Sequence, residues 1–282
     1  MSEQSLPYDI GDVVVRALAE DIGSGDLTSR LIDTSCHAKA EVQVKTAAIL
    51  CGSAWFDEVF RQLDSSITID WRFEDGAQLT ENTIVCALAG PAHSLLSGER
   101  TALNLLQTLS GTATAAHQFC EIVAGTKARI LDTRKTLPGL RSAQKYAVRC
   151  GGAHNHRIGL FDAVLIKENH IAALGSLTDA VRLARQRVPS VLIELEVENL
   201  EQLREALDTE VDRILLDDFS IAELREAVTL RDAHGSNHKE LEASGGVNLD
   251  TLRSIAKTGV DWISVGAITK DLRATDYSMR FV

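Results

Sequence analysis

The stretch VLIELEVENLEQLREALDTEVDRILLDD, residues 191–218, decides the fold class of this 282-residue chain. It begins with an apolar strand, Val191–Val197, after which Asn199 stands where a helix N-cap is expected. One apolar stripe runs along the helix that follows and consists of Leu200, Leu203 and Leu207. A second apolar strand, Arg213–Leu216, completes a strand–helix–strand unit. Such a unit predicts two parallel strands joined by a helical crossover.

The same unit recurs along the chain after about residue 127. Apolar strands are predicted at Arg129–Leu131, Ala163–Ile166, Val191–Val197, Arg213–Leu216, Glu240–Ala243 and Trp262–Val265. Helix starts are predicted from the capping boxes Ser176/Asp179 and Ser220/Glu223 and from the N-caps Asn199 and Asn248. The pattern predicts a parallel α/β barrel. Because six strands are visible and a complete barrel has eight, either the barrel is incomplete or strands escape this count.

The first part of the chain, to about residue 112, has a different texture. Short strands are predicted at Ala38–Val44, Ile67–Phe73 and Thr83–Leu88, with a helix over Ser53–Leu63. A helix beginning near Ser97 is predicted to break at Gly111, and a second helical stretch to end at Val123. This mixture indicates a separate α+β domain.

Composition excludes several classes of protein. The chain is 45% hydrophobic and 24% charged, which is typical of a globular protein rather than a disordered one. Its net charge of −11 argues against a general binder of nucleic acid or anionic membranes. No apolar run is long enough to span a bilayer, and no signal peptide is visible at the N-terminus. The five cysteines form no C-x-x-C pair, so we expect a reducing, cytoplasmic location.

Polar, ionisable or glycine residues stand at or just after the end of nearly every strand of the second half. These positions are Asp132–Lys135, Lys167–His170, Glu194 and Glu196, Asp217 and Asp218, Ser244–Gly246 and Gly266. The carboxyl ends of parallel barrel strands form the active face, so these side chains are expected to gather at one rim.

The charges indicate what such a rim would bind. Between residues 128 and 170 the net charge is +5, although the whole chain is acidic. A local cationic patch containing Arg134, Lys135 and Lys167 indicates a small, strongly anionic ligand. Opposite them, Glu196 and Asp217 are candidates to hold Mg²⁺ against phosphates or to bind sugar hydroxyls. The glycines after the late strands allow backbone amides to approach a phosphate at a helix N-terminus.

Several consecutive motifs together resemble the quinolinate phosphoribosyltransferase family, also called nicotinate-nucleotide pyrophosphorylase (carboxylating). The motifs are DTRKTLPGLR at 132–141, KYAV at 145–148, NHR at 155–157 and LIKENH at 165–170. Supporting matches lie at 20–28, 99–104, 194–197, 216–217, 244–246 and 278–281. There are two departures from the family pattern. The usual Gly-Gly-Gly before N-H-R reads Gly151-Gly152-Ala153-His154, and Lys270 stands where many relatives carry histidine.

The resemblance implies a fold and an assembly. Residues 1–112 would form an N-terminal α/β sandwich, and the tail from about 270 to 282 would pack back on it. Residues 113–269 would form an open, incomplete, seven-stranded parallel α/β barrel that carries the catalytic site. The protein would be a homodimer with a shared active site, and Arg100 would reach the partner's site.

The resemblance also implies a reaction in NAD biosynthesis. Quinolinate and 5-phosphoribosyl pyrophosphate, with Mg²⁺, would give nicotinate mononucleotide, pyrophosphate and CO₂. Quinolinate would be bound by Arg100, Thr133, Arg134, His156, Arg157 and Lys167. Phosphoribosyl pyrophosphate would be bound by Lys135, Lys167, Glu196, Asp217, Ser244, Gly245, Gly246 and Gly266. The catalytic residues would be Lys135, Glu196 and Asp217, the last two also meeting Mg²⁺ directly or through water.

Three other functions remain open at the level of sequence. A related phosphoribosyltransferase acting on nicotinate would need fewer cations, because nicotinate has one carboxylate. A Schiff-base aldolase would use Lys135 or Lys167 as a desolvated amine, and borohydride trapping would detect it. A non-catalytic sensor on the same fold would bind quinolinate without releasing pyrophosphate or CO₂.

Overall fold

The computed structural model describes residues 5–235 and 239–282, and the chain divides into two compact units. The first comprises the chain up to His117 together with Thr136–Gly152 and Ile268–Val282. The second comprises Gln118–Lys135 and Ala153–Ala267. Within the described residues, no helix is long and apolar enough to cross a membrane.

The elements are numbered in chain order. As far as residue 123 they are α1 (Ile10–Ile22), a short 3-10 helix (Ser29–Leu31), β1 (His37–Val44), β2 (Ala48–Ile49), α2 (Ser53–Leu63), β3 (Thr68–Trp71), β4 (Gln78–Leu79), β5 (Ile84–Pro91) and α3 (Ala92–Val123). Then come β6 (Arg129–Leu131), α4 (Arg141–Cys150), β7 (Val164–Ile166), α5 (Glu168–Leu174), α6 (Leu177–Arg187), β8 (Ile193–Val197), α7 (Leu200–Leu207), β9 (Arg213–Asp217) and α8 (Ile221–Ala233). The last are β10 (Glu240–Ser244), α9 (Leu249–Ala256), β11 (Trp262–Ser264), α10 (Ala267–Lys270) and β12 (Tyr277–Phe281).

An antiparallel sheet in the order β12-β1-β5-β3 forms the framework of the first unit. The period-2 pattern of β1 is confirmed, because Ala40, Val42 and Val44 are buried while their neighbours are more exposed. The sheet and α2 share one apolar core, to which α2 contributes Trp55 and Phe56. Since β12 pairs with β1, the last residues of the chain close the edge of this sheet.

The predicted helix break at Gly111 is wrong, because α3 runs without interruption from Ala92 to Val123. A Cβ on Gly111 would lie 2.4 Å from the carbonyl oxygen of Arg273. The glycine therefore serves the close approach of another backbone segment and does not end the helix.

Replacing Gly111 with alanine is expected to lower the free energy of unfolding by about 1–3 kcal/mol, because overpacking outweighs the better helix propensity of alanine. Urea unfolding followed by circular dichroism measures this change. Gly11 in α1 is the matched control, since its Cβ would meet only the Glu58 side chain at 3.6 Å. An unfolding free energy unchanged or raised in Gly111→Ala would contradict the steric explanation.

The second unit contains the predicted parallel sheet, in the order β6-β11-β10-β9-β8-β7. Its six strands match those expected from the sequence to within two residues at each end, and the sheet is not closed. The seventh strand that the resemblance implies is not confirmed. His154 forms only an isolated parallel bridge with Leu131, so the departure in the loop before N-H-R falls where the chain runs beside β6.

The predicted helix starts of this unit carry their caps. Ser220 and Glu223 form a complete capping box, and Asn199 and Asn248 cap α7 and α9. The Ser176 side chain accepts from the Asp179 backbone amide at 3.0 Å. These caps fix where each connection leaves the sheet, and thus which residues stand at the carboxyl ends of the strands.

Candidate active site

A cleft of about 370 Å³ lies at the carboxyl ends of the parallel strands in the second unit. Most of the residues predicted from the sequence line it. These are Thr133, Arg134, Lys135, His156, Arg157, Lys167, Glu196, Asp217 and Ser244. Four further residues complete the lining, namely Leu165, Leu215, Glu242 and Ser264.

The sheet register explains why these residues meet. Asp217 and Ser244 are the last residues of neighbouring strands and lie directly opposite one another. Lys167 follows β7, and Glu196 lies near the end of β8. Because parallel strands end at the same edge of a sheet, residues far apart in sequence converge there.

Two guanidinium groups dominate the cationic side of the cleft. Burial and the positive charge of Arg134 both lower the pKa of Arg157. Two cations held close enough to repel one another favour a ligand that brings negative charge. Planar guanidinium groups bind carboxylates through two parallel hydrogen bonds, which suits this place to a carboxylate ligand.

The acidic side is formed by Glu196 and Asp217. Glu196 forms an ion pair with Lys167. Burial raises the pKa of Glu196, and the neighbouring charge of Asp217 raises it further, while the contact with Lys167 lowers it. Two carboxylates that repel one another in a cleft fit a divalent cation, and Mg²⁺ is commonly held by one or two carboxylates together with substrate phosphates.

Asp132, whose anchoring role the sequence did not reveal, fixes the loop that carries the cationic residues. Its fully buried carboxylate accepts from Asn155 Nδ2 at 2.7 Å and from the backbone amide of His156 at 2.8 Å. Three of the residues in the motif DTRK line the cleft, and the aspartate that precedes them holds the neighbouring N-H-R segment in place.

His156 has protein partners at both ring nitrogens. Nδ1 accepts from the backbone amide of Arg157 at 2.7 Å, and Nε2 lies 2.9 Å from Glu194 Oε2. The expected contact between His156 and a substrate carboxylate would require the ring to exchange one of these partners. That contact stays a prediction.

Two buried carboxyl groups, those of Glu194 and Glu242, lie close to His156. The sequence assigned no role to either of them. His156 Nε2 is 3.6 Å from Glu242 Oε1 as well as close to Glu194, and Arg213 Nη1 is 3.4 Å from Glu242 Oε2. Burial raises the pKa of Glu194 to about 7. Burial and the neighbouring Glu194 raise the pKa of Glu242 to about 8. The alternation of Glu194 with Glu196 on β8 places both on one face of the strand and was a usable signal for Glu194.

The remaining predicted residues do not line the cleft formed by the described residues. Arg100 lies in α3, in the first compact unit. Gly245 has a φ of 95°, and a Cβ there would lie 2.0 Å from Asp218 Oδ1, so this position requires glycine for close packing. Gly246 also has a positive φ, and Gly266 follows β11 by two residues. Lys270 Nζ is held by its neighbour Asp271 at 2.8 Å.

Comparison with known proteins gives matches over nearly the whole chain. Residues 26–110 match the family model "Quinolinate phosphoribosyl transferase, N-terminal domain", and residues 112–280 match the model of its C-terminal domain. A probable nicotinate-nucleotide pyrophosphorylase [carboxylating] of Bacillus subtilis is 42% identical over 92% of this chain and 89% of its own length. The corresponding protein of Mycobacterium leprae is 41% identical over 95% of both chains.

The solved nicotinate-nucleotide pyrophosphorylase of Francisella tularensis superposes with a TM-score of 0.93 at 42% identity, covering 99% of this chain and 98% of the other. The chain therefore belongs to the quinolinate phosphoribosyl transferase family.

Proposed function

We propose that this protein is a quinolinate phosphoribosyltransferase that forms nicotinate mononucleotide for NAD biosynthesis. The family assignment and the names of its relatives support the reaction class. The observation that carries the proposal is the close approach of Arg134 and Arg157 in a cleft that Glu196 and Asp217 also line. Such a cleft suits a dianion and a sugar that develops positive charge.

The two carboxylates of quinolinate explain the number of cations. An ionised carboxylate taken out of water without a partner is very costly, so each needs donors. Arg134 and Arg157 supply bidentate donors, Lys167 adds a third cation and Thr133 a neutral hydroxyl. Nicotinate, with one carboxylate, would engage fewer of these donors.

The second substrate would bind along the acidic side and the glycine turns. We expect Lys135 and the backbone amides of Ser244–Gly246 to hold phosphates of 5-phosphoribosyl pyrophosphate; of these residues, Lys135 and Ser244 line the cleft. Glu196 and Asp217 would hold Mg²⁺, which neutralises charge on the pyrophosphate leaving group. The same two carboxylates would stabilise the oxocarbenium-like ribose as its bond to pyrophosphate breaks.

The proposed steps balance without an organic cofactor. The pyridine nitrogen attacks C1 of the ribose, and the C1–oxygen bond breaks as pyrophosphate leaves. The alkylated pyridinium then draws electrons from the bond between ring carbon 2 and its carboxylate. CO₂ departs, the electron pair remains on carbon 2, and that carbon takes up a proton. The chain's own residues bind and orient the two substrates throughout these steps.

We also propose a cytoplasmic homodimer in which Arg100 of one subunit completes the site of the other. The arrangement gives a role to Arg100, which is not among the residues that line the cleft. Analytical ultracentrifugation, and mixing of an Arg100→Ala subunit with a subunit inactive at Lys135, test it together. Recovery of activity in the mixed dimer is the expected result, and a fully active monomer would contradict it.

The reaction itself is tested by incubating the purified protein with quinolinate, 5-phosphoribosyl pyrophosphate and Mg²⁺. We expect nicotinate mononucleotide, pyrophosphate and CO₂ to appear in equal amounts. Chromatography measures the nucleotide and pyrophosphate, and trapping of labelled CO₂ measures the CO₂. Binding of quinolinate without release of pyrophosphate or CO₂ would indicate a sensor and would overturn the proposal.

A further inference from the structure

Two cysteines and an aspartate of the first unit form a cluster that includes none of the residues assigned to the proposed reaction. The sulfur atoms of Cys51 and Cys150 and one carboxylate oxygen of Asp75 all lie within 4.8 Å of one another. Cys51 precedes α2, Asp75 lies between β3 and β4, and Cys150 is the last residue of α4. Three segments distant in sequence thus bring two thiols and one carboxylate together.

The cluster is held in place by its surroundings. Asp75 Oδ2 accepts from the Gly52 amide and from Tyr146 Oη, each at 3.0 Å, and Oδ1 accepts from the Ser53 amide at 3.2 Å. These hydrogen bonds fix the orientation of the Asp75 carboxylate. Ser110 Oγ accepts from the Cys51 amide at 3.0 Å and donates to its carbonyl at 3.1 Å, so the backbone of Cys51 is fixed on both sides.

We propose that Cys51, Asp75 and Cys150 bind a thiophilic divalent cation of the Zn²⁺ class. Thiolate and carboxylate are both ligands of Zn²⁺, and a set that contains two thiolates disfavours Mg²⁺ and Ca²⁺. Three protein ligands leave the fourth tetrahedral position for water. The backbone amides and Tyr146 that hold Asp75 are the kind of partners that orient a metal-binding carboxylate.

Protonation of the ligands competes with cation binding at this cluster. Burial raises the pKa of Cys51, and the neighbouring Cys150 and Asp75 raise it further. Burial also raises the pKa of Asp75. Negative charge at this place is thus unfavourable until a cation arrives, and a bound divalent ion reverses that balance and deprotonates its thiol ligands. Binding one ion releases the two thiol protons, so affinity is expected to rise with pH.

A disulfide between Cys51 and Cys150 is the competing use of the same thiols. The structure favours the cation because Asp75 provides a third ligand, which a disulfide does not need.

The test is a titration of the full-length, reduced and chelator-treated protein with Co²⁺, followed by displacement with Zn²⁺. We expect one Co²⁺ per chain with thiolate-to-cobalt charge-transfer absorption in the near ultraviolet, which disappears when Zn²⁺ is added. Cys51→Ser and Cys150→Ser should abolish that absorption, and Asp75→Asn should weaken Co²⁺ binding by about tenfold or more. Because carboxylate sites give no thiolate absorption, this readout is independent of Mg²⁺ and of enzyme activity.

Cys86→Ser is the matched control, since Cys86 is buried in β5 of the same unit and lies outside the cluster. It should keep the absorption of the unaltered protein. Circular dichroism and thermal melting identify any variant that fails to fold, and the partly exposed Cys150 is the safer of the two cysteines to replace. Absence of thiolate absorption in the unaltered protein would overturn the proposal. The proposal would also be overturned if exposure to air removed two reactive thiols and a reductant restored them while a chelator did not.

Discussion

Replacing Arg134 with alanine is expected to lower kcat/KM for quinolinate by about 30- to 5,000-fold, the equivalent of about 2–5 kcal/mol. The physical reason is that a buried carboxylate of the substrate would lose its bidentate partner. Arg157 would remain, but a single guanidinium faces a ligand with two carboxylates. Arg134→Lys keeps the charge and loses the planar guanidinium. Its kcat/KM should therefore fall between that of the unaltered protein and that of Arg134→Ala.

Steady-state kinetics with quinolinate varied at saturating 5-phosphoribosyl pyrophosphate measure this effect. Arg182→Ala is the matched control, because Arg182 is an exposed arginine of the same unit that pairs with Asp179 on α6. Its kcat/KM should match that of the unaltered protein. A near-normal kcat/KM in Arg134→Ala would remove this residue from the substrate site.

Glu242→Gln is expected to stabilise the protein at alkaline pH by as much as about 5 kcal/mol, as an upper bound for a pKa shift of this size. Burial and Glu194 raise the pKa of Glu242 from 4.5 to about 8. Above pH 4.5 the unfolded chain ionises this carboxyl while the folded protein keeps it protonated. Stability of the unaltered protein therefore falls as pH rises from about 4.5 to 8, and glutamine removes that loss.

Urea unfolding at pH 5 and at pH 8 tests this linkage. The gain in unfolding free energy of Glu242→Gln over the unaltered protein should be larger at pH 8 than at pH 5. Glu226→Gln, on the exposed side of α8, serves as the control and should show the same small change at both pH values. A gain for Glu242→Gln that is independent of pH would show that the carboxyl is ionised in the folded protein throughout this range.

The parallel sheet could be predicted because its signals are local. Apolar runs such as Val191–Val197 and caps such as Asn199 and Ser220 are set by residues a few positions apart, and the structure contains all of them. Gly111 was misinterpreted because its cause is not local. The Arg273 carbonyl that requires glycine there lies 162 residues further along the chain.

The same distinction applies to the cleft. The cations and acids after each strand could be predicted, since a parallel sheet gathers its strand ends at one edge. The contact between Glu194, Glu242 and His156 depends on side-chain direction across three segments, and no spacing in the sequence encodes it. Asp132 was visible as part of a motif, but its role as an acceptor for Asn155 and His156 needs their relative positions.

We propose that the positive charge of the cleft matches a pyridine with two carboxylates. The most direct test is the ratio of kcat/KM for quinolinate to kcat/KM for nicotinate, measured side by side with 5-phosphoribosyl pyrophosphate and Mg²⁺. We expect turnover of quinolinate with release of CO₂. The kcat/KM for nicotinate should be lower by about a hundredfold or more, because its single carboxylate leaves a charge pair half formed. Turnover of nicotinate with none of quinolinate would contradict the account.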